Sequence, residues 1–142
     1  TQDKIMDTYN KIFGMFFLVM IALSAVGLLV GGVGVVAIMM ISVTERTREI
    51  GVRKALGATR GTILWQFLVE AVTLTGIGGA IGLFAGWGVS LLVRQFSPIA
   101  SSVPPMAVVA ALGASAVTGI VFGMLPAAKA AKLDPVDALR YE

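Results

Sequence analysis

Apolar positions fall into three long runs separated by short polar segments. The first uncharged run extends from Ile12 to Thr44, 33 residues. Wound as an α-helix it measures about 50 Å, against about 30 Å of bilayer hydrocarbon. Such a helix must tilt strongly or protrude on one side. Upstream, Ile5, Tyr9, Ile12, Phe16 and Met20 recur at helical spacing, with Asp3 and Lys4 just before them and Asp7 and Lys11 between them. This amphipathic pattern predicts a stalk over residues 1–14 that continues a membrane helix over 12–44. The second run predicts a membrane helix over 62–93, and the third one over 105–128. Pro104 and Pro105 suit the first turn of the third, where a missing N–H costs little. A polar segment (45–60), a short loop (94–104) and a tail (129–142) complete the chain. The expected fold is an all-α membrane protein with three transmembrane helices.

Composition sharpens this picture. Of 142 residues, 57% are hydrophobic and 13% charged, with 17 glycines besides. A soluble domain carries about 25% charged residues. An ordinary soluble enzyme, a disordered tail and a disulfide scaffold are thereby excluded. The chain has no Cys and no His. Thiolate chemistry, Cys-based metal sites and a Ser-His-Asp arrangement are therefore impossible. No Gly-Lys-Ser/Thr occurs, so ATP cannot be handled through a P-loop. No catalytic residue and no metal ligand set is expected on this chain.

Charge placement predicts topology. Segment 45–60 carries Arg46, Arg48, Arg53, Lys54 and Arg60, and the tail carries Lys129, Lys132 and Arg140. The opposite side has Lys4, Lys11 and Arg94. Eight against three places segment 45–60 and the C-terminus in the cytoplasm and the N-terminus outside. The net charge of +3 then reflects membrane topology rather than nucleic-acid binding. An outward start reading Thr-Gln-Asp, without Met or signal peptide, leads to the expectation of a further upstream part with at least one span or a cleaved signal.

Small residues recur every four positions: Gly78, Gly82, Gly86 and Ser90 in the second span, Gly119 and Gly123 in the third, Gly27 and Gly31 in the first. Such strips let helices approach closely, either within one bundle or at a dimer seam. Glu70 is the one charge inside the second run. Two structural roles are open to it: bonding a neighbouring helix, or pairing with a basic residue of 45–60. A proton relay would need a second acidic or His partner. Trp65, Trp87 and Tyr141 are candidate interface anchors.

Segment 44–60 holds the densest chemistry. Ser42 and Glu45 have capping-box spacing, and Thr44 or Thr47 offers an alternative cap. Glu49 and Arg53 form an i,i+4 pair in the favourable order. Gly57 suits the left-handed residue that ends a helix. Ile50, Ala55 and Leu56 leave an apolar patch among the charges. The segment therefore reads as a short surface helix that lies on anionic lipid or docks a cytoplasmic partner. Its alternating signs favour a protein. In the tail, Asp134 suits an N-cap, Pro135 the first helical position and Asp137 the first turn.

The ordered run Ser-Val-Thr-Glu-Arg-Thr-Arg-Glu-Ile-Gly-Val-Arg-Lys-Ala-Leu-Gly-Ala (42–58), followed by Gln-Phe-Leu-Val-Glu-Ala (66–71), resembles the FtsX-like permease domain of ABC transporters, most closely the MacB type. Val30–Val35 and the ending Gly123–Arg140 fit the same type. The resemblance covers about residues 12–140. It implies a four-helix permease of the bacterial inner membrane, of which this chain holds helices two to four and the base of an outer domain. It implies that Thr44, Glu45, Arg46, Arg48, Glu49, Ile50, Arg53, Lys54, Leu56 and Gly57 belong to a coupling helix seated on a cytoplasmic ABC ATPase. Asp134, Pro135, Asp137 and Leu139 would lie on that side. Mg-ATP would bind the partner ATPase, with no cofactor on this chain. A second permease copy, as homodimer or pseudo-dimer, a periplasmic adaptor and the lipid bilayer are the other partners implied. The implied function is mechanotransmission for efflux. A signalling or scaffold role, such as activating cell-wall hydrolases or sensing antimicrobial peptides, is the alternative within the wider family.

Overall fold

The computed structural model describes residues 2–96 and 103–140, without the side chains of 139 and 140. Most of the 94–104 loop, Tyr141 and the Leu139 side chain thus lie outside the described residues. Five helices and no strand occur among the described residues: α1 (Gln2–Glu45), α2 (Thr47–Ala55), α3 (Arg60–Phe96), α4 (Pro105–Lys132) and α5 (Pro135–Arg140). Helices α1, α3 and α4 are each long and apolar enough to cross a membrane. The architecture is that of an all-α membrane protein.

α1 is a single helix of 44 residues, about 66 Å at 1.5 Å per residue. No proline interrupts it, so the stalk and the first span share one hydrogen-bond ladder. Its residues up to Gly31 are all exposed. Contact with the bundle begins at Gly32, where a Cβ would collide with the Phe122 ring of α4. Met39 and Val43 then bury fully. α1 is thus a long lever held by its last third.

α3 starts at Arg60, about half a turn before the apolar run suggests. The Thr59 hydroxyl accepts from the Thr62 N–H at 3.2 Å, satisfying an otherwise orphaned donor. α4 starts at Pro105, which pre-sets the first turn, and runs a turn past Ala128 to Lys132. These two helices make the tightest packing in the molecule. At Gly119 a Cβ would lie 2.8 Å from the Val72 Cα, and at Gly123 it would strike the Ala71 side chain. Gly79 makes the reciprocal contact, its missing Cβ leaving room for the Ser115 hydroxyl at 2.6 Å. That hydroxyl donates to the Thr75 carbonyl across the interface. Without a hydrophobic drive between helices in lipid, close backbone approach and such hydrogen bonds hold spans together.

The core lies at one end. Met39, Val43, Ile50, Ile63, Phe67, Ala71, Ala127 and Ala130 form one cluster where α1, α2, α3 and α4 converge. At the far end the helices part around a cavity of about 700 Å³, lined among others by Gly31, Gly78, Gly82, Gly86 and Trp87. Gly78, Gly82 and Gly86 of the second span and Gly31 of the first therefore border open space, and nothing lies within 4 Å of where their Cβ atoms would be. Of the glycines in these rows, Gly119 and Gly123 alone make a helix–helix contact within the described chain.

Gly119→Ala should lower the melting temperature of the detergent-solubilised protein, because overpacking costs about 1–3 kcal/mol. Gly82→Ala should leave it unchanged or raise it slightly, alanine being the better helix former. Equal melting of the two variants would contradict this packing.

Candidate functional site: the polar hairpin at the base of the bundle

The polar segment between α1 and α3 begins with a break. Arg46 leaves helical geometry at φ −97° and ψ 14°, yet its N–H still donates to the Ser42 carbonyl. The Thr47 hydroxyl donates to the carbonyls of Val43 (3.0 Å) and Thr44 (2.8 Å). It thereby satisfies acceptors at the end of α1. The capping box expected of Ser42 and Glu45 does not form, because α1 runs through both residues and leaves no free N-terminus there. α2 starts at Thr47 with no side-chain cap, and Thr44 bonds back to Met40 inside α1.

α2 ends in a Schellman arrangement. The Ala58 N–H reaches the Arg53 carbonyl and the Gly57 N–H reaches that of Lys54, both at 3.0 Å. Gly57 takes φ +100°, which a side chain would strain. Its place in the site is therefore that of a turn-former.

The two faces of α2 differ. Ile50, only 1% exposed, is inserted into the core cluster. Gly51 sits against α5, where a Cβ would come within 2.7 Å of the Ala138 Cβ. Ile50 thus anchors the helix and is not offered to a partner, which corrects its place in the expected contact surface. Leu56 is 83% exposed and Val52 half-exposed, so the free apolar patch is Val52, Ala55 and Leu56 rather than Ile50, Ala55 and Leu56. Around it Glu45, Arg46, Arg48, Glu49 and Arg53 are exposed, and Arg48, Glu49, Val52 and Arg53 frame a shallow hollow.

Lys54 turns inward. Its Nζ donates to the carbonyls of Ala131 and Leu133, both at 2.5 Å. A cation here satisfies acceptors left over at the end of α4 and opposes the negative end of its dipole. Burial pushes the Lys54 ammonium below the usual lysine range, the Arg60 charge adds to this, and Asp134 opposes it.

α3 holds the other side of the segment. Arg46 pairs with Glu70 at 3.6 Å. Arg53, expected opposite Glu49, donates instead to Gln66 Oε1 at 2.9 Å. Gln66 and Glu70 are one turn apart and meet the two arginines, while Phe67 and Ala71, each the residue after one of them, are buried. Both partners of the Arg46–Glu70 pair are well exposed, and in water such pairs contribute about 0–1 kcal/mol. They set orientation more than stability. In the tail, Asp134 Oδ1 accepts from the Val136 N–H at 3.1 Å, Pro135 starts α5, and Asp137 lies in its first turn. Sequence reasoning missed Gln66, Gly51 and Lys54 as structural partners. The i,i+4 spacing of Gln66 and Glu70 beside a basic segment was the available signal.

Gly51→Ala should loosen α5, costing about 1–3 kcal/mol. Adding Ala138→Gly should recover part of this loss, read as slower proteolysis of the tail than in the single variant. No coupling between the two sites would contradict the contact.

Comparisons with known proteins agree on one family. Residues 21–135 match the FtsX-like permease C-terminal family. The chain is 49% identical to the uncharacterized ABC transporter permease YknZ of Bacillus subtilis over 140 residues, covering 99% of this chain and 35% of that protein. It is 53% identical to the uncharacterized ABC transporter permease YvrN of the same organism over 136 residues, covering 96% and 32%. It is also 53% identical, over 123 residues, to the macrolide export ATP-binding/permease protein MacB of Syntrophobacter fumaroxidans, covering 87% and 17%. The chain thus spans about a third or less of these relatives. A multi-pass helical membrane protein with this polar hairpin and these relatives belongs to the FtsX-like permease family, with homologues named MacB and ABC transporter permease.

Proposed function

We propose that this chain is the part of an ABC permease that carries ATP-driven motion from a cytoplasmic ATPase through the inner membrane. The observation that carries this reading is the double attachment of α2. Its inner face is locked into the bundle through Ile50, Gly51 and Lys54. Its outer face remains exposed, with Arg48, Glu49, Val52, Arg53 and Leu56 available to a partner. A load applied to that face reaches α1 through Val43, α3 through Gln66 and Glu70, and α4 through Lys54. The continuous α1 then conveys tilt to the far side, because one hydrogen-bond ladder runs its full length.

In this reading α2 and the tail lie in the cytoplasm and the start of α1 outside, which the excess of basic residues at the α2 end supports. The ATPase, separate or fused, binds Mg-ATP. The exposed outer half of α1 contacts a second permease copy or an outer domain, and a periplasmic adaptor receives the motion. The work done is efflux from the outer face. The far-end cavity has a mainly apolar lining, as neighbouring helices require more than a charged substrate route does.

Two measurements test this. Exchanging the charges at Arg48 and Glu49 should abolish permease-dependent stimulation of the ATPase while the melting temperature holds, since neither side chain is buried. Undiminished stimulation would overturn the docking face. The chain has no native cysteine, so Arg48→Cys should react with a membrane-impermeant maleimide only after cells are opened. Labelling of intact cells would invert the topology.

A further inference from the structure

One surface is not used by the coupling reading. It lies on the side of α4 that faces away from the core, at the α2 end of the bundle. Val121 and Leu125 are about 60% exposed there, with Met124 beside them. With Ala128 they line a groove of about 880 Å³. The same groove continues to Lys129 and Lys132, so an apolar lane runs along the helix and ends in cations. At its end it joins a second hollow of about 270 Å³, which Lys132 shares with Lys54 and Arg60. Asp134 borders both hollows and Asp137 the larger. Four cations against two carboxylates leave an excess of positive charge.

The two carboxylates offset only part of this excess. Asp134 Oδ1 is engaged by the Val136 N–H as a helix cap. Burial is the main cause of the lowered Lys54 pKa, and repulsion from Arg60 adds to it against the opposing charge of Asp134. The Lys54 ammonium spends its hydrogen bonds on the end of α4, whereas Arg60, Lys129 and Lys132 are exposed. An anion between Arg60 and Lys132 would relieve the repulsion. Only a ligand with an apolar chain would also fill the lane over Val121 and Leu125. A charged head joined to a long apolar tail is the chemistry of an anionic phospholipid, and basic pockets between spans at this depth suit such headgroups.

We propose that the groove on α4 binds one anionic phospholipid, its phosphate held between Arg60 and Lys132 and an acyl chain lying over Val121 and Leu125. The site would tie the junction of α2, α4 and α5 to the bilayer surface beside the coupling helix. It is independent of which partner α2 docks.

The test uses the whole protein as the cell makes it, delipidated in detergent and titrated with phosphatidylglycerol or phosphatidylcholine under native mass spectrometry. The expected result is one preferred phosphatidylglycerol adduct over phosphatidylcholine. Arg60→Gln with Lys132→Gln should weaken it about 30-fold, taking about 1 kcal/mol for each cation at the surface. Lys132→Arg should retain it. Lys4→Gln with Lys11→Gln, an equal charge loss at the other end, should leave it unchanged. The proposal is overturned by no preference for phosphatidylglycerol, or by unaltered binding in the Arg60/Lys132 variant. Displacement of the lipid by millimolar inorganic phosphate would assign the cations to a soluble anion and would equally sink it. A folded, monodisperse Arg60/Lys132 variant, checked by circular dichroism, keeps the comparison valid.

Discussion

Everything at the α2 end of this molecule depends on one insertion: Ile50 driven into the point where the long helices meet, with Gly51 pressed against Ala138 beside it. A nine-residue helix is too short to be stable alone in water. α2 persists because its inner face is a piece of the bundle core. Burying one isoleucine contributes about 1.5–3 kcal/mol, and the absent Cβ at Gly51 lets α5 close over the same spot. The outer face is then free to be charged, because stability does not depend on it.

The tightness is graded along the bundle. Where Gly119 and Gly123 meet Val72 and Ala71, α3 and α4 touch almost backbone to backbone. Beyond Gly79 they part, and α1 leaves the bundle altogether before Gly31. In the proposed coupling, a body rigid at one end and open at the other would convert a push on α2 into displacement of the far ends, and the length of α1 would enlarge it.

Much of this was legible in the sequence, and the exceptions follow a rule. Gly57 could be read because a helix end demands a positive φ that glycine supplies cheaply. Asp134 and Pro135 could be read because cap chemistry is local. The three spans, and with them the all-α membrane fold, followed from length and polarity alone. The pairing of Glu70 with a basic residue of 45–60 was also open to the sequence, but which of several similar faces makes a contact was not. The row Gly78, Gly82 and Gly86 and the pair Gly119 and Gly123 look alike in sequence, yet the first borders open space and the second makes the contact. Gly32, Gly51 and Gly79, which fit no assigned row, make close contacts of their own. Ile50 looked like part of an exposed patch because periodicity cannot say that α5 and the bundle core cover it. The capping box at Ser42 failed because α1 had a better option, which was simply to continue.

The proposed coupling requires α2 to move as one body with the adjoining ends of the spans. The most direct measurement is a pulsed electron-spin distance between nitroxides at positions 48 on α2 and 129 on α4, in the whole protein assembled with its ATPase. The account predicts one narrow distance distribution that does not change when ATP binds, while a distance between the outer ends of α1 in two assembled copies does. A 48–129 distance that shifts or splits on ATP binding would show that α2 slides against the bundle, and would contradict it.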